Sequence, residues 1–316
     1  STRPVILYGH GFMGHYDQAS RGAVNQLCRT YGYSTVATDL GFNSEDESMI
    51  IAVLSGRLRD IHWLVSLNWQ NMSNFTALAK LTRDRLAPEV TADAGQGAFL
   101  PLDPDNIHYS GISNGGTFGY VLAATSPAIR RASLIVGGGG LTHFLQRAVN
   151  WLEFQPVFDL IYEDPVDIQL LLSLLQINMD PIDSINYVHR LVDNRFPGLP
   201  PLTAGIYMAV NDSQVRNILT EWVSRTAGAR LASPSSKDIW GLDPVVADAP
   251  QGADASAVLF VIDEDVEPSP ITNVPPQEDN RTHGTATKLD TMQRSWHELI
   301  ERGRLIQFCE GACDPE

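Results

Sequence analysis

The stretch that decides the fold is Asn106-Ile107-His108-Tyr109-Ser110-Gly111-Ile112-Ser113-Asn114-Gly115-Gly116-Thr117-Phe118-Gly119. It begins as a short strand, contains Gly-x-Ser-x-Gly at 111–115 and continues as a helix over 118–124. A serine on such a turn takes strained backbone angles, and side chains two positions before or after it would collide. The pattern predicts that the Ser113 hydroxyl stands off the sheet edge. A glycine-rich turn with an incidental serine has the same pattern, so the rest of the chain must decide.

Composition limits the classes of partner. The chain has 316 residues, 43% of them apolar and 19% charged, which is typical of a globular protein with a sizeable core. A net charge of −15 argues against nucleic acid and against anionic membrane surfaces. We expect no membrane-spanning segment, because no apolar run is long enough to span a bilayer, and no signal peptide is expected within the given sequence.

The first half of the chain alternates strands and helices. An apolar strand at 5–8 runs into Gly9-His10-Gly11-Phe12, a glycine-rich loop that lets the backbone approach a ligand closely. Helical spacing over 16–31 and a turn and strand at 32–39 complete a β-α-β unit, which implies a parallel pair. Residues 44–86 have a helical period, and we expect a loop at 88–104.

Further strands follow the serine turn. We expect strands at 132–137, 204–210 and 257–262, and helices at 215–226 and 288–302. Four glycines at 137–140 are expected to open space beside Ser113, where parallel strands present their carboxyl ends to ligands. The sequence thus predicts an α/β fold with a mostly parallel central sheet flanked by helices.

Residues 141–199 differ from their surroundings. They are dense in bulky apolar residues, have no evident strand, and are divided into helical pieces by Asp164-Pro165 and Asp180-Pro181. We interpret 141–199 as a helical cap inserted into a core formed by 1–140 and 200–316. The alternative is that these helices pack as ordinary core. The predicted substrate-binding residues are Gly11, Leu141, Phe144, Leu145 and Phe158.

Three chemically useful side chains follow predicted strands. Ser113, Asp212 and His283 stand in that order along the chain, each after the carboxyl end of a strand. With Tyr8-Gly9-His10-Gly11-Phe12, Asn211-Asp212-Ser213-Gln214-Val215 and Thr282-His283-Gly284, the chain resembles the α/β-hydrolase family over nearly its whole length. The cap and the terminal cysteines look like those of secreted bacterial lipases and esterases. The chain departs from the family in having only four residues, instead of antiparallel strands, before the first strand.

The resemblance implies a mechanism for these residues. Ser113 is the expected nucleophile, His283 the general base and Asp212 the residue that orients the imidazole. The backbone N–H groups of Phe12 and Asn114 are the expected oxyanion donors. Asp263 and Asp265 also follow a strand, but Asp212 is the preferred acid.

The predicted function is therefore a serine carboxylester hydrolase acting on a small or lipid-like apolar ester. A peptidase or amidase with the same triad, or a polyester-accepting hydrolase, remains open, whereas a binding protein with a dead site would lack a triad member. No cofactor is expected and no metal site, although Asp263-Glu264-Asp265 could at most hold calcium. A Cys309–Cys313 disulfide would indicate a secreted or periplasmic protein, and two unpaired thiols a cytoplasmic one.

Overall fold

One parallel sheet organises the molecule. The computed structural model describes residues 2–54, 56–94 and 101–314, and within them eight strands join in the order β2-β1-β3-β4-β5-β8-β6-β7. Every neighbouring pair is parallel. The strands are β1 Arg3–Gly9, β2 Ser34–Val36, β3 Leu102–Ile112, β4 Arg131–Ile135, β5 Thr203–Ala209, β6 Arg230–Ser233, β7 Pro244–Val246 and β8 Ala257–Ile262.

Strands β1, β5 and β8 are buried on both faces over nearly their whole length, which is why they are mainly apolar rather than alternating. Successive side chains point to opposite faces, so Val5 and Leu7 pack in one hydrophobic cluster, and Ile6 and Tyr8 in another. Two cores thus form, one on each side of the sheet.

Helices cover both faces. They are α1 Gly22–Tyr31, α2 Glu47–Leu54, α3 Ile61–Leu81, α4 Ala87–Ala94, α5 Asn114–Thr125, α6 Leu141–Leu145, α7 Trp151–Ile161, α8 Pro165–Met179, α9 Asn217–Thr226, α10 Thr282–Thr285 and α11 Asp290–Arg302. Helices α1 and α11 pack on the face of Ile6, and α3, α5, α7 and α8 on the face of Val5. Trp296 of α11 is fully buried and donates its indole N–H to Ser110 Oγ at 2.8 Å, which ties this helix to β3.

Residues 141–199 are helical, as expected from their sequence. Asp164 caps α8 by accepting the N–H of Val166 at 2.8 Å, and Asp180-Pro181 follows the end of that helix. Short 3₁₀ helices follow at Ser184–Asn186 and Val188–Arg190. The buried apolar residues of α7 and α8 belong to the same cluster as Val5 and Leu7. The segment is therefore continuous with the packing of the core.

Two expectations about secondary structure were wrong. The expected loop at 88–104 is helical in its first part, where α4 runs to Ala94, and β3 begins at Leu102; residues 95–100 lie outside the described residues. The short strand β6, which lies between β8 and β7, and the edge strand β7 were not expected at all. With four and three residues, they are too short to show a periodic pattern.

The end of the described chain is cross-linked. Cys309 and Cys313 form a disulfide with their Cα atoms 5.1 Å apart, and the carbonyl of Cys313 accepts the N–H of Asp263 at 2.7 Å. Among the helices described, none combines the length and apolarity needed to cross a bilayer.

Candidate active site

The turn at Ser113 is strained in the way that its sequence predicts. Ser113 has φ 61° and ψ −116°, outside the regions that residues with a side chain favour. A Cβ on Gly111 would lie 2.2 Å from the carbonyl oxygen of Gly115, and one on Gly115 would lie 2.1 Å from that of Gly9. Both glycines are therefore required for the close crossing of β1, β3 and α5 that holds Ser113 at the sheet edge.

The loop after β1 is braced by two side chains. His10 is fully buried; its Nδ1–H donates to the carbonyl of Gly11 at 2.8 Å, and its Nε2 accepts the N–H of Leu40 at 2.8 Å. These bonds suit only the neutral ring, and burial lowers the pKa of His10. Gln18 accepts the N–H of Gly11 at 3.0 Å. The buried His10 and Gln18 thus brace this loop, and nothing in the sequence singled out Gln18.

Two backbone donors near Ser113 are free. Within the described residues, the N–H groups of Phe12 and Asn114 have no protein acceptor. Asn114 is the first residue of α5, where the helix dipole favours negative charge, and its side-chain amide donates to the carbonyl of Gly41 at 2.9 Å. Both groups are available to an anionic oxygen beside Ser113.

Asp212 and His283 are joined directly. Asp212 is 2% exposed, and its Oδ2 lies 2.6 Å from His283 Nδ1. Its other oxygen accepts the N–H groups of Gln214 and Val215 at 2.8 and 3.0 Å. Because an ionised carboxylate can only accept, Nδ1 carries the proton and Nε2 is the basic nitrogen of the neutral ring. Nε2 is buried and has no partner among the described residues.

No hydrogen bond joins the Ser113 hydroxyl to His283 in this structure. Such bonds are often long in proteins without substrate and tighten only in the complex. Ser113 follows β3, and Asp212 and His283 follow β5 and β8, so all three lie at the carboxyl edge of the sheet, with β4 between β3 and β5.

Asp279 links the two loops that carry Asp212 and His283, and sequence reasoning missed it. Its carboxylate accepts from Ser213 Oγ at 2.8 Å and from Gln214 Nε2 at 3.0 Å, and it also accepts the N–H of Arg281 at 2.9 Å. Partial burial raises the pKa of Asp279, but these three hydrogen bonds outweigh it and leave the pKa below its usual value.

The other acidic side chains considered for this site form hydrogen bonds to other groups. Asp263 Oδ1 accepts the N–H of Asp265 at 3.0 Å, and Glu264 accepts the hydroxyls of Thr282 and Thr285 at 2.5 and 2.7 Å. Glu264 thus holds the turn that carries His283. Over the ranges that the structure describes, no group of three or more His, Cys, Asp or Glu side chains is arranged to hold a metal ion.

A mainly apolar cavity of about 130 Å³ opens at Ser113. Three of the predicted substrate-binding residues line it, namely Leu141, Phe144 and Leu145. The further lining residues come from several elements: Phe12, Phe42, Asn114, Thr117, Ala148, Asn150, Phe154, Met179, Gln214 and Val215. Gly11 lies beside the serine, since a Cβ built on it would be 3.7 Å from Ser113 Cβ.

Phe158 and the four glycines do not line this cavity. Phe158 is fully buried in the core, with its ring centroid 4.7 Å from that of Trp151. The glycines at 137–140 were expected to open space, but a Cβ on Gly137 would lie 2.5 Å from Gly116 and one on Gly138 would lie 2.8 Å from Leu219. Their role is close packing against α5 and α9, because only glycine permits those approaches.

A buried carboxylate fixes the cavity wall. Asp183 is fully buried and accepts the N–H groups of Gly140 and Leu141 at 2.9 and 2.6 Å, at the start of α6. Gln176 of α8 donates to the same carboxylate at 2.8 Å and accepts from the Thr142 hydroxyl at 2.9 Å. This network orients α6 so that Leu141, Phe144 and Leu145 face Ser113.

The sequence matches no protein-family model and no curated protein. Solved structures do match. The crystal structure of 2,6-dihydroxy-pseudo-oxynicotine hydrolase superposes with a TM-score of 0.51 at 12% sequence identity. The match covers 97% of this chain and 63% of the hydrolase chain. The uncomplexed acylaminoacyl peptidase of Pyrococcus horikoshii superposes with a TM-score of 0.50 at 15% sequence identity. That match covers 98% of this chain and 39% of the peptidase chain. The chain has the α/β-hydrolase fold.

The resemblance in the motifs is thereby confirmed at the level of fold. This α/β-hydrolase-fold chain spans less than two thirds of the length of either structure, so their activities are not transferred to it. The described strands lack the antiparallel pair usual in the family, and β2 lies at the edge beside β1.

Proposed function

We propose that this α/β-hydrolase-fold chain is a serine hydrolase that cleaves carboxylic esters with an apolar acyl group. The observation that carries the proposal is the strained turn at Ser113, which lines an apolar cavity together with Phe12 and Asn114, whose backbone N–H groups are unpaired among the described residues. A strained residue at a cavity is characteristic of a reacting group, because the fold must offset its cost of roughly 1–3 kcal/mol.

In the first half-reaction, the Ser113 oxygen attacks the ester carbonyl carbon and His283 Nε2 takes the hydroxyl proton. The proton then passes to the departing alcohol as the carbon–oxygen bond breaks, leaving an acyl group on Ser113. The 2.6 Å contact with Asp212 supports this role, because it holds the proton on Nδ1 and stabilises the ring when Nε2 is protonated.

The tetrahedral intermediate carries negative charge on the former carbonyl oxygen. The free N–H groups of Phe12 and Asn114 would bind that oxygen, and each such donor is worth roughly 3 kcal/mol in kcat. The bonds that brace Gly11 keep the loop of Phe12 in position before substrate arrives.

In the second half-reaction, water gives its proton to His283 Nε2 and attacks the acyl carbon. The proton then returns to the Ser113 oxygen as the carboxylic acid leaves. The cavity supports an acyl substrate, since apolar side chains from α6, α7 and α8 surround the space next to the serine. A volume of about 130 Å³ is small beside the roughly 300–1,000 Å³ of drug-sized sites and favours short to medium acyl chains.

The test compares p-nitrophenyl esters from acetate to palmitate with a p-nitroanilide peptide. We expect ester hydrolysis well above anilide hydrolysis, and a fluorophosphonate should label the wild type at Ser113. Ser113→Ala should fold normally, lose the label and retain less than about a thousandth of kcat. A variant that kept its activity would disprove the nucleophile, and faster cleavage of the anilide would make the chain a peptidase or amidase.

A further inference from the structure

Two amide side chains interrupt the apolar wall of the cavity at Ser113. Gln214 and Asn150 both line this cavity, whose other lining residues are mostly apolar. Besides the nucleophile, the remaining polar side chains of the wall are those of Asn114 and Thr117, and both are hydrogen-bonded to main-chain groups. Polar groups that are left free in a mainly apolar cavity are typical of those that orient a ligand.

The amide of Gln214 is held in one orientation. Its Nε2 donates to Asp279 Oδ2 at 3.0 Å, and its backbone N–H donates to Asp212 Oδ1 at 2.8 Å. Because an ionised carboxylate can only accept, the NH2 end of the amide must face Asp279, and Oε1 is left as an acceptor. In the part of the chain that the structure describes, no group donates to that oxygen. Gln214 therefore presents a fixed acceptor to the cavity, and it calls for a ligand that donates.

Asn150 supplies a donor next to this acceptor. It precedes α7 at the N-cap position, where an asparagine usually accepts a helix N–H, yet its side chain makes no such bond. The N–H of Val149 donates to the carbonyl of Ser213 at 2.8 Å. Asn150 and Gln214 thus follow two residues that are hydrogen-bonded to each other, and their amides belong to neighbouring segments of the cavity wall.

These segments lie on the side of the cavity where the alcohol leaves. Gln214 closely follows Asp212, which is 2.6 Å from His283. Asp279, which holds the Gln214 amide, belongs to the loop that leads to His283. Because His283 Nε2 must give its proton to the departing alcohol oxygen, the alcohol part of the ester lies next to His283 during the reaction. The apolar wall from α6 and α7 remains for the acyl chain.

We propose that Gln214 and Asn150 bind a hydroxyl group on the alcohol part of the substrate, so that the preferred substrates are monoesters of diols or polyols. The proposal rests on the proposed ester hydrolysis at Ser113. The hydroxyl would donate to Gln214 Oε1 and accept from the amide of Asn150, so one group satisfies both side chains. A methyl group in the same place would leave both amides unpaired, and a site built to bind a hydroxyl discriminates against such an analogue.

The experiment compares hydroxyethyl butyrate with propyl butyrate, two esters in which a hydroxyl replaces a methyl group at the end of the alcohol. Hydrolysis is followed by titration of the released acid. In the wild type, kcat/KM should be at least about fivefold higher for hydroxyethyl butyrate, because its hydroxyl makes two hydrogen bonds that a methyl group cannot make. Gln214→Met and Asn150→Leu, which keep the size of the side chain, should each lower this ratio about three- to tenfold. The change should be found mainly in KM, since the hydroxyl is bound both before and during the reaction.

Gln146→Met is the matched control. Gln146 lines a separate cavity and accepts a hydrogen bond from Gln169 at 2.6 Å, so the same substitution there should leave the ratio as it is in the wild type. A second pair of esters, propyl β-hydroxybutyrate and propyl isovalerate, moves the hydroxyl to the acyl group. Their kcat/KM values should differ by less than about twofold in the wild type, because that hydroxyl does not reach the two amides.

Three results would overturn the proposal. The first is a wild type that hydrolyses hydroxyethyl butyrate no faster than propyl butyrate. The second is a preference for the hydroxyl that appears only in the pair with modified acyl groups. The third is a ratio that stays constant in both Gln214→Met and Asn150→Leu.

Binding is measured separately from catalysis. Ser113→Ala lacks the attacking hydroxyl, so calorimetry can record the binding of both intact esters. This variant should bind hydroxyethyl butyrate at least about threefold more tightly than propyl butyrate, and adding Gln214→Met should remove the difference. If the wild type hydrolyses neither ester and this difference remains, the proposed reaction is wrong and the hydroxyl site stands. Equal binding of the two esters disproves the hydroxyl site.

Discussion

Ser113 shows how a single residue can reveal a site through its backbone. The sequence signal was the pair of glycines, and each is required because a Cβ there would lie within 2.2 Å of a carbonyl oxygen. The positive φ of Ser113 follows from that crowding. A glycine-rich turn with an incidental serine would not need such contacts on both sides.

At the same scale, the contact between Asp212 and His283 predicts that Asp212 is the acidic residue needed for catalysis. Asp212→Asn should lower kcat by about ten-thousand-fold, because an amide favours the wrong tautomer of the imidazole. The measurement is steady-state hydrolysis of p-nitrophenyl butyrate.

Asp263→Asn is the matched control and should change kcat by less than about threefold. The Asp263 carboxylate caps its own loop instead of touching His283. If Asp263→Asn lowered kcat more than Asp212→Asn does, the catalytic acid would be the residue that follows β8. The assignment of Asp212, which follows β5, would then be wrong.

At the scale of elements, α6 forms the wall that an acyl chain would meet. Leu145 lines the cavity, whereas Leu160 of α7 is 84% exposed. Each methylene buried in the cavity is worth about 0.8 kcal/mol, so kcat/KM should rise by up to about fourfold per methylene until the cavity is full. Because the cavity is small, we expect kcat/KM to be highest for esters with short to medium acyl chains.

Leu145→Gln should flatten this chain-length profile without removing acetyl-ester activity, because the amide places polar atoms where methylenes would pack. Leu160→Gln should leave the profile as it is in the wild type. A wild-type profile already flat from acetyl to octanoyl would contradict the apolar wall and favour an open cleft that accepts polymers.

For the whole molecule, a buried histidine links stability to pH. His108 of β3 is 4% exposed; its Nε2 is paired with Asn106 Oδ1, and its Nδ1 is enclosed without a partner. Burial, helped by the charge of Arg131, lowers the pKa of His108 to about 3. An unfolded histidine titrates near pH 6.5, so the unfolded chain binds a proton that the folded chain does not. This contribution to stability is complete above pH 6.5 and is lost as the pH falls towards 3.

His108→Gln keeps a donor for Asn106 but cannot titrate. The free energy of unfolding, measured by urea denaturation from pH 7 to pH 4, should therefore fall less steeply in this variant than in the wild type. The difference should approach 1.4 kcal/mol per pH unit below pH 6 as an upper limit. His62→Gln, at an exposed position, should retain the wild-type slope. Equal slopes for His108→Gln and the wild type would show that His108 is protonated when folded.

The sequence by itself determined the parallel sheet, the strained serine turn and the order Ser113, Asp212, His283, because apolar strands and steric requirements for glycine are local. Tertiary structure alone decided what depends on distant segments. Strands β6 and β7 are too short to be periodic; β6 forms by pairing with β8, and β7 forms the sheet edge by pairing with β6. Phe158 and the glycines at 137–140 have the composition of a binding site, yet packing places them in the core. Asp279 and Gln18 have no local signal, since each is held by hydrogen bonds to residues that only folding brings near.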